Sequence, residues 1–176
     1  MARLADAGHD VAAVVRSSSK TDLIEGLGAR CFVASLASGE GLAAALDGVD
    51  VVVHAAGGGR NRSTAQMYAD NRDTTKVLLD ACLGRPLKRF VHVSSLAATG
   101  PSQDGAAPAE RAPTSHSGRA KAAAEDVVLA VKDQLPVTVL RPCAVYGPGD
   151  VATLPLFKLA SRGWLLLPGP GRGTAF

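Results

Sequence analysis

Ser94 and Ser95 close the apolar run Arg89-Phe90-Val91-His92-Val93 and lead into Leu96-Ala97-Ala98-Thr99-Gly100-Pro101. Hydroxyls at the end of such a run sit where ligands bind in open α/β sheets, and they serve equally as turn formers or helix caps. Ser117 and Lys121 are four residues apart in Ser117-Gly118-Arg119-Ala120-Lys121 and share a face if the segment is helical, although a lysine on a helix is most often only solvated. After the run Val51-Val52-Val53-His54 come Ala55, Ala56 and Gly57, small enough to let backbone approach a ligand or simply to make a tight turn. Arg16, with Lys20 nearby, ends the run DVAAVVR. The stretch Leu140-Arg141-Pro142-Cys143-Ala144-Val145-Tyr146-Gly147-Pro148-Gly149-Asp150 reads as a strand end followed by a proline-stiffened loop. Ser17-Ser18-Ser19-Lys20 matches the Ser-x-x-Lys pattern of some hydrolases, but it follows a strand as a loop, and the match is one of chance.

The elements that must position these residues alternate. Residues 10–16, 29–33, 50–54, 89–93 and 136–140 are short, Val-rich and mostly continuous in apolar character, which predicts strands buried on both faces of a parallel sheet. Between them, residues 21–27, 39–46, 64–83 and 118–132 predict helices, at the spacing of right-handed β–α–β units. Residues 1–7 form an amphipathic helical piece stopped by Gly8-His9, with no strand before it. Residues 100–117 read as a polar surface loop, and residues 163–176 as a Gly/Pro-rich run reaching no further element. The chain is therefore expected to be cut at both ends.

Bulk properties narrow the function classes. A chain of 176 residues, 47% apolar and 20% charged, is one ordinary globular domain. The net charge of +3 comes without a basic stripe, so nucleic acid is not an expected partner. Cys31, Cys82 and Cys143 are odd in number and far apart, which excludes a disulfide framework and a cysteine zinc site. With no apolar run of membrane-spanning length and no signal-peptide core, a cytoplasmic protein is expected, without a metal or a membrane partner.

Taken in order, VVVHAAG, the Asn71 of DNRDTT, RFVHVSS with LAATGP, GRAKAAAE and LRPCAVYGPGD resemble the extended short-chain dehydrogenase/reductase family, which contains NAD(P)-dependent epimerases, dehydratases and reductases. The likeness is greatest to its sterol-dehydrogenase and dihydroflavonol-reductase-like branch. The resemblance implies a Rossmann-like, doubly wound parallel α/β sheet. Residues 1–150 would form a partial NAD(P)-binding domain, and residues 151–176 the start of a substrate region. It further implies that Ser95 orients a substrate oxygen and that Lys121 binds the nicotinamide ribose and lowers the pKa of an acid/base phenol. Ala55, Ala56 and Gly57 would line the cofactor, Pro142, Cys143 and Val145 would pack near the nicotinamide, and Asn71 would hold the long helix and a water chain. The partner would be a small molecule with a carbonyl, hydroxyl or sugar-nucleotide group, changed by hydride transfer.

The family pattern is broken in three places. The first strand and its glycine-rich turn are absent, and Gly169-Pro170-Gly171-Arg172-Gly173 does not replace them, so weakened cofactor binding is expected. The catalytic tyrosine position is Ser117, whose hydroxyl pKa lies far above a phenol's roughly 10, and His116 is turned away by roughly 100°. The acidic residue expected beside the adenine is replaced by Ser35, in Ala34-Ser35-Leu36. Arg16 favours the 2′-phosphate of NADP over NAD. Three expectations follow: an impaired NAD(P)-dependent oxidoreductase or epimerase, a degenerate nucleotide- or partner-binding relative, or a non-functional fragment. Because the absent strand would lie between residues 10–16 and 50–54, a homodimer formed through that gap is also expected.

Overall fold

The computed structural model describes residues 1–18, 21–58, 62–101, 110–147, 150–151 and 153–164. Helix α1 (Ala2–Asp6) leads into strand β1 (Val11–Val15), followed by α2 (Thr21–Glu25), β2 (Ala29–Val33), α3 (Leu42–Ala45) and β3 (Val51–His54). Then come α4 (Thr64–Tyr68), a π-helical turn (Ala69–Asp73), α5 (Thr74–Cys82) and β4 (Arg89–Val93). A 3₁₀ turn (Leu96–Ala98), α6 (His116–Ala130), β5 (Val137–Leu140) and α7 (Leu154–Ala160) complete the order. The five expected strands are all present and all paired in parallel, and the molecule is α/β.

The sheet is split. β1 pairs with β2, from Val11 opposite Ala29 to Val15 opposite Val33, and β3–β4–β5 form a second sheet with β4 in the middle. No ladder joins β1 to β3 among the described residues, so the expected gap lies between them. The split also corrects the expectation of strands buried on both faces. Val52, His54, Phe90 and His92 are buried on one face, whereas Val51 and Val53 on the other are 47% and 55% exposed. The physical reason is coverage. One continuous core packs Leu42, Leu78, Leu79, Cys82 and Val128 from α3, α5 and α6 against Val52 and Phe90, while Ala13, Ile24 and Ala29 form a small separate cluster.

Local chemistry sets the helix boundaries. α4 starts in a capping box, in which the Ser63 hydroxyl accepts from the Gln66 amide and the Gln66 side chain accepts from the Ser63 amide. α6 starts two residues earlier than expected because Ser115 caps it, accepting from the Gly118 amide at 2.9 Å. The expected continuous helix over 64–83 is interrupted by the π-helical turn. α7 was not expected. The glycine-rich run 169–173, part of the loop over 100–117 and the end of the Ser-x-x-Lys match lie outside the described residues.

Candidate functional site

A cleft of about 960 Å³ opens at the carboxyl ends of β1, β2 and β3. Arg16 lines it from β1, Ser35 and Leu36 from β2, and Ala55, Ala56 and Gly57 from β3. Six residues singled out from sequence thus share one surface. Ser35 belongs to a closed turn: its amide donates to the Glu40 carbonyl at 2.9 Å, and its hydroxyl accepts from the Ser38 amide at 3.2 Å. A second, more open concavity near the amino ends of β1 and β2, beside Ala5, Gly8 and Gly28, contains none of the candidates.

Gly57 joins the cleft to the remaining candidates. A Cβ placed there would lie 2.6 Å from Asn71 Oδ1 and 2.9 Å from Lys121 Nζ, so only glycine lets both side chains reach this backbone. At Gly58 a Cβ would stand 2.5 Å from the Cβ of Asp70. The π-helical turn produces this convergence. It turns Asn71 inward, 2% exposed, so that its Nδ2 donates to the carbonyls of Gly58 at 3.1 Å and Met67 at 2.8 Å. Asn71 Oδ1 is buried with no hydrogen-bond partner among the described residues. π-bulges of this kind are frequent at functional sites.

Lys121 stands on α6, and burial lowers its pKa. Ser95 caps the 3₁₀ turn, its hydroxyl accepting from the Ala97 amide at 3.2 Å. The two elements touch through Gly118, whose added Cβ would lie 2.3 Å from the Ala97 carbonyl oxygen. Ser117, at the start of α6, is half-buried beside this contact. Neither Ser95, Ser117 nor Lys121 lines the cleft. Pro142 is tied to the 3₁₀ turn by its carbonyl, which accepts from the Leu96 amide at 2.9 Å. Cys143 is exposed, and Val145 is 76% exposed. His116 is engaged elsewhere, its Nδ1 lying 3.2 Å from both the Thr64 hydroxyl and the Arg119 guanidinium.

Sequence reasoning assigned no role to two buried groups. His54 and His92 lie side by side on the covered face of the sheet, their ring centroids 5.4 Å apart and their planes tilted by 33°. His54 Nε2 lies 2.8 Å from the Thr75 hydroxyl, which itself donates to the Asn71 carbonyl at 2.5 Å, so His54 carries its proton on Nε2. Both ring nitrogens of His92 are buried and without hydrogen-bond partners among the described residues. Burial, then the neighbouring His92 and Lys121, brings His54 down to about 4; burial and Lys121 bring His92 to about 4 against the pull of Glu125. Both rings are neutral near pH 7.

The second group is Glu125, fully buried one turn beyond Lys121. Its carboxylate accepts from the Ser94 hydroxyl at 2.5 Å, from Arg141 through Nε at 2.9 Å and Nη2 at 2.7 Å, and from Arg111 at 3.1 Å. Arg111 also pairs with Asp126. Burial acts to raise the Glu125 pKa, but the bonds from Arg141 and Ser94 and the two guanidinium charges outweigh it and hold the carboxyl below its ordinary value. The signal available was spacing: Glu125 follows Lys121 by four, on the same helix face.

The cleft's chemistry fits the nucleotide half of a dinucleotide. Its basic and hydroxyl rim at Arg16, Ser17 and Ser35 suits ribose and phosphate oxygens, and Ala55 to Gly57 leave the β3 backbone uncovered.

Residues 1–152 match the family described as NAD(P)H-binding. The chain is 36% identical over 115 residues to the ceramide reductase of Caulobacter vibrioides, covering 65% of this chain and 32% of that protein. It is 31% identical over 155 residues to the 4-hydroxy-2-methyl-3-oxo-4-farnesyl-3,4-dihydroquinoline-1-oxide ketoreductase of Stigmatella aurantiaca, covering 84% of this chain and 46% of that one. The solved structure of MoeE5 in complex with UDP-glucose and NAD superposes with a TM-score of 0.75 at 28% identity, covering 92% of this chain and 56% of that one. The chain thus spans from about a third to under half the length of these curated relatives.

Proposed function

Because the chain belongs to the NAD(P)H-binding family, with the parallel Rossmann-like fold of the short-chain dehydrogenase/reductases and epimerases, we propose that it binds NADP(H) in the cleft at the ends of β1–β3 and presents it to a ketone substrate beside Lys121. The observation that carries this reading is the convergence at Gly57, where one residue of the cleft wall meets both Asn71 Oδ1 and Lys121 Nζ. The names of the curated relatives, a ceramide reductase and a ketoreductase, support a carbonyl substrate over a sugar nucleotide.

In this reading Arg16 meets the 2′-phosphate, because a planar guanidinium binds phosphate oxygens in a fork, and Ser35 and Leu36 border the adenine. Ala55, Ala56 and Gly57 flank the pyrophosphate and the nicotinamide ribose. Lys121 Nζ binds the ribose hydroxyls, and Asn71 Oδ1 accepts a hydrogen bond from that quarter. Pro142, Cys143 and Val145 border the nicotinamide. The bound nicotinamide supplies or takes up hydride. Ser95 donates a hydrogen bond to the substrate oxygen. Ser117 stands where proton transfer to that oxygen is needed, and its alkyl hydroxyl is a far weaker proton donor than a phenol. Turnover is accordingly slow. Ser117 also favours a second reading, a relative that binds the nucleotide without turning anything over.

Titration of the chain with NADPH and with NADH tests the proposal. NADPH should bind more tightly, and Arg16→Asp should reverse the order. Equal affinities in both proteins would remove Arg16 from the site, and binding of neither nucleotide would remove the cofactor reading for this chain.

A further inference from the structure

We infer that Glu125 is the positioning residue of this site, a buried anion that holds three separate chain segments in one arrangement; the inference rests on the NADP(H) reading above. Glu125 accepts four hydrogen bonds, two at each oxygen: the Ser94 hydroxyl and Arg141 Nε at Oε1, and Arg141 Nη2 and Arg111 Nη1 at Oε2. Four is the full capacity of a carboxylate, so each donor has one place to sit. A bidentate guanidinium pair adds angular definition that a single bond lacks.

Two of the three tethered segments, and α6 itself, carry a site residue close to the tether. Ser94 precedes Ser95. Arg141 precedes Pro142. Glu125 itself lies one helical turn from Lys121, on the same face of α6. Arg111 brings in the chain that follows the 3₁₀ turn and secures it further by donating to the Ala122 carbonyl at 3.1 Å. Beyond the ends of β4 and β5, their pairing continues through the Ser94 amide on the Leu140 carbonyl at 2.7 Å and the Leu96 amide on the Pro142 carbonyl at 2.9 Å. The carboxylate therefore anchors the two loops where the ladder runs out. Charge is nearly balanced locally, Glu125 and Asp126 against Arg111 and Arg141, which is what lets a fully buried anion persist. None of these four groups lines the cleft, so Glu125 acts through the residues it places.

The test compares the full chain with its Glu125→Gln, Glu125→Asp and Ser94→Ala variants by residue-resolved amide hydrogen exchange, and by NADPH titration. Glu125→Gln is the same size but loses the charge. It should raise exchange at the amides of Leu96, Ala98 and Thr99 at least tenfold, leave those of Leu78 to Cys82 in α5 within twofold, and weaken NADPH at least tenfold. Glu125→Asp should recover part of both effects. Should Glu125→Gln fail to fold, Ser94→Ala decides alone, with a smaller rise confined to the 3₁₀ turn and no change in α5. A rise spread evenly over α5 and the turn would mean that Glu125 serves only global stability, and it would overturn the inference, as would no change at either place. If the unaltered chain binds no NADPH, the cofactor reading fails by itself, and the exchange pattern still decides the role of Glu125.

Discussion

Gly118 packs its backbone against the carbonyl oxygen of Ala97, so closely that a Cβ on Gly118 would stand 2.3 Å from that oxygen. The contact brings the helix that carries Ser117 and Lys121 against the turn capped by Ser95. Because the obstacle is backbone, it cannot swing aside. Gly118→Ala is expected to push α6 off the 3₁₀ turn and to cost about 1–3 kcal/mol of stability, the usual range for overpacking. Urea unfolding measures this, and a variant as stable as the parent would show that the contact is loose.

Ser117 sets the expected limit on chemistry. Ser117→Tyr should raise the rate of hydride transfer from NADPH to a ketone by about 10²–10⁴-fold, the usual worth of general acid–base catalysis. Adding Lys121→Ala should abolish the gain, since the phenol would lose the neighbouring positive charge that lowers its pKa. Single-turnover oxidation of NADPH over a carbonyl panel is the measurement. Equal rates for Ser117 and Tyr at this position would mean that another group carries the proton.

Much of this site was legible in sequence because it lies at strand ends. β2 and β4 begin and end where the apolar runs do, and the small residues after β3 line the cleft. The π-helical turn was not legible. The contact it serves is tertiary, since Asn71 reaches back to the Gly58 carbonyl across 13 positions. The Glu125 cluster was hidden for a similar reason. Spacing from Lys121 gives its face, but its partners Ser94 and Arg141 lie 31 and 16 positions away. Covering of only one sheet face could not be read from Val-rich runs, because apolar content says what a strand prefers and not what packs on it.

The buried histidines make stability fall with acid. His54 and His92 titrate near 4 in the fold, against 6.5 ordinarily. The unfolded chain therefore binds more protons between those values, and their contribution is complete above about pH 6.5 and shrinks as pH falls toward 4. For the two rings together a loss of roughly 2–4 kcal/mol is expected between pH 7 and 5. Glu125, held low instead, gives up its contribution only under more acid conditions. Urea unfolding across this range should show the slope, and His92→Phe should flatten it. An unchanged slope in that variant would place the titrating group elsewhere.

The split sheet predicts self-association. β1 and β3 each leave one edge unpaired among the described residues, beside exposed Val14, Val33, Val51 and Val53. Open parallel edges flanked by apolar side chains are templates for strand addition. Light scattering on the 176-residue chain should show a mass that rises with concentration. A monomer at every concentration, with a sharp and reversible thermal transition, would contradict this.

Where the nucleotide sits decides the roles of Arg16, Gly57 and Lys121 together. Amide hydrogen exchange with and without saturating NADPH addresses that directly. The predicted result is new protection at residues 14–17, 34–37 and 55–58 together with the first turns of α6. Protection confined to other segments, or none at saturating nucleotide, would contradict the placement of NADP(H) in the cleft joined by Gly57 to Lys121.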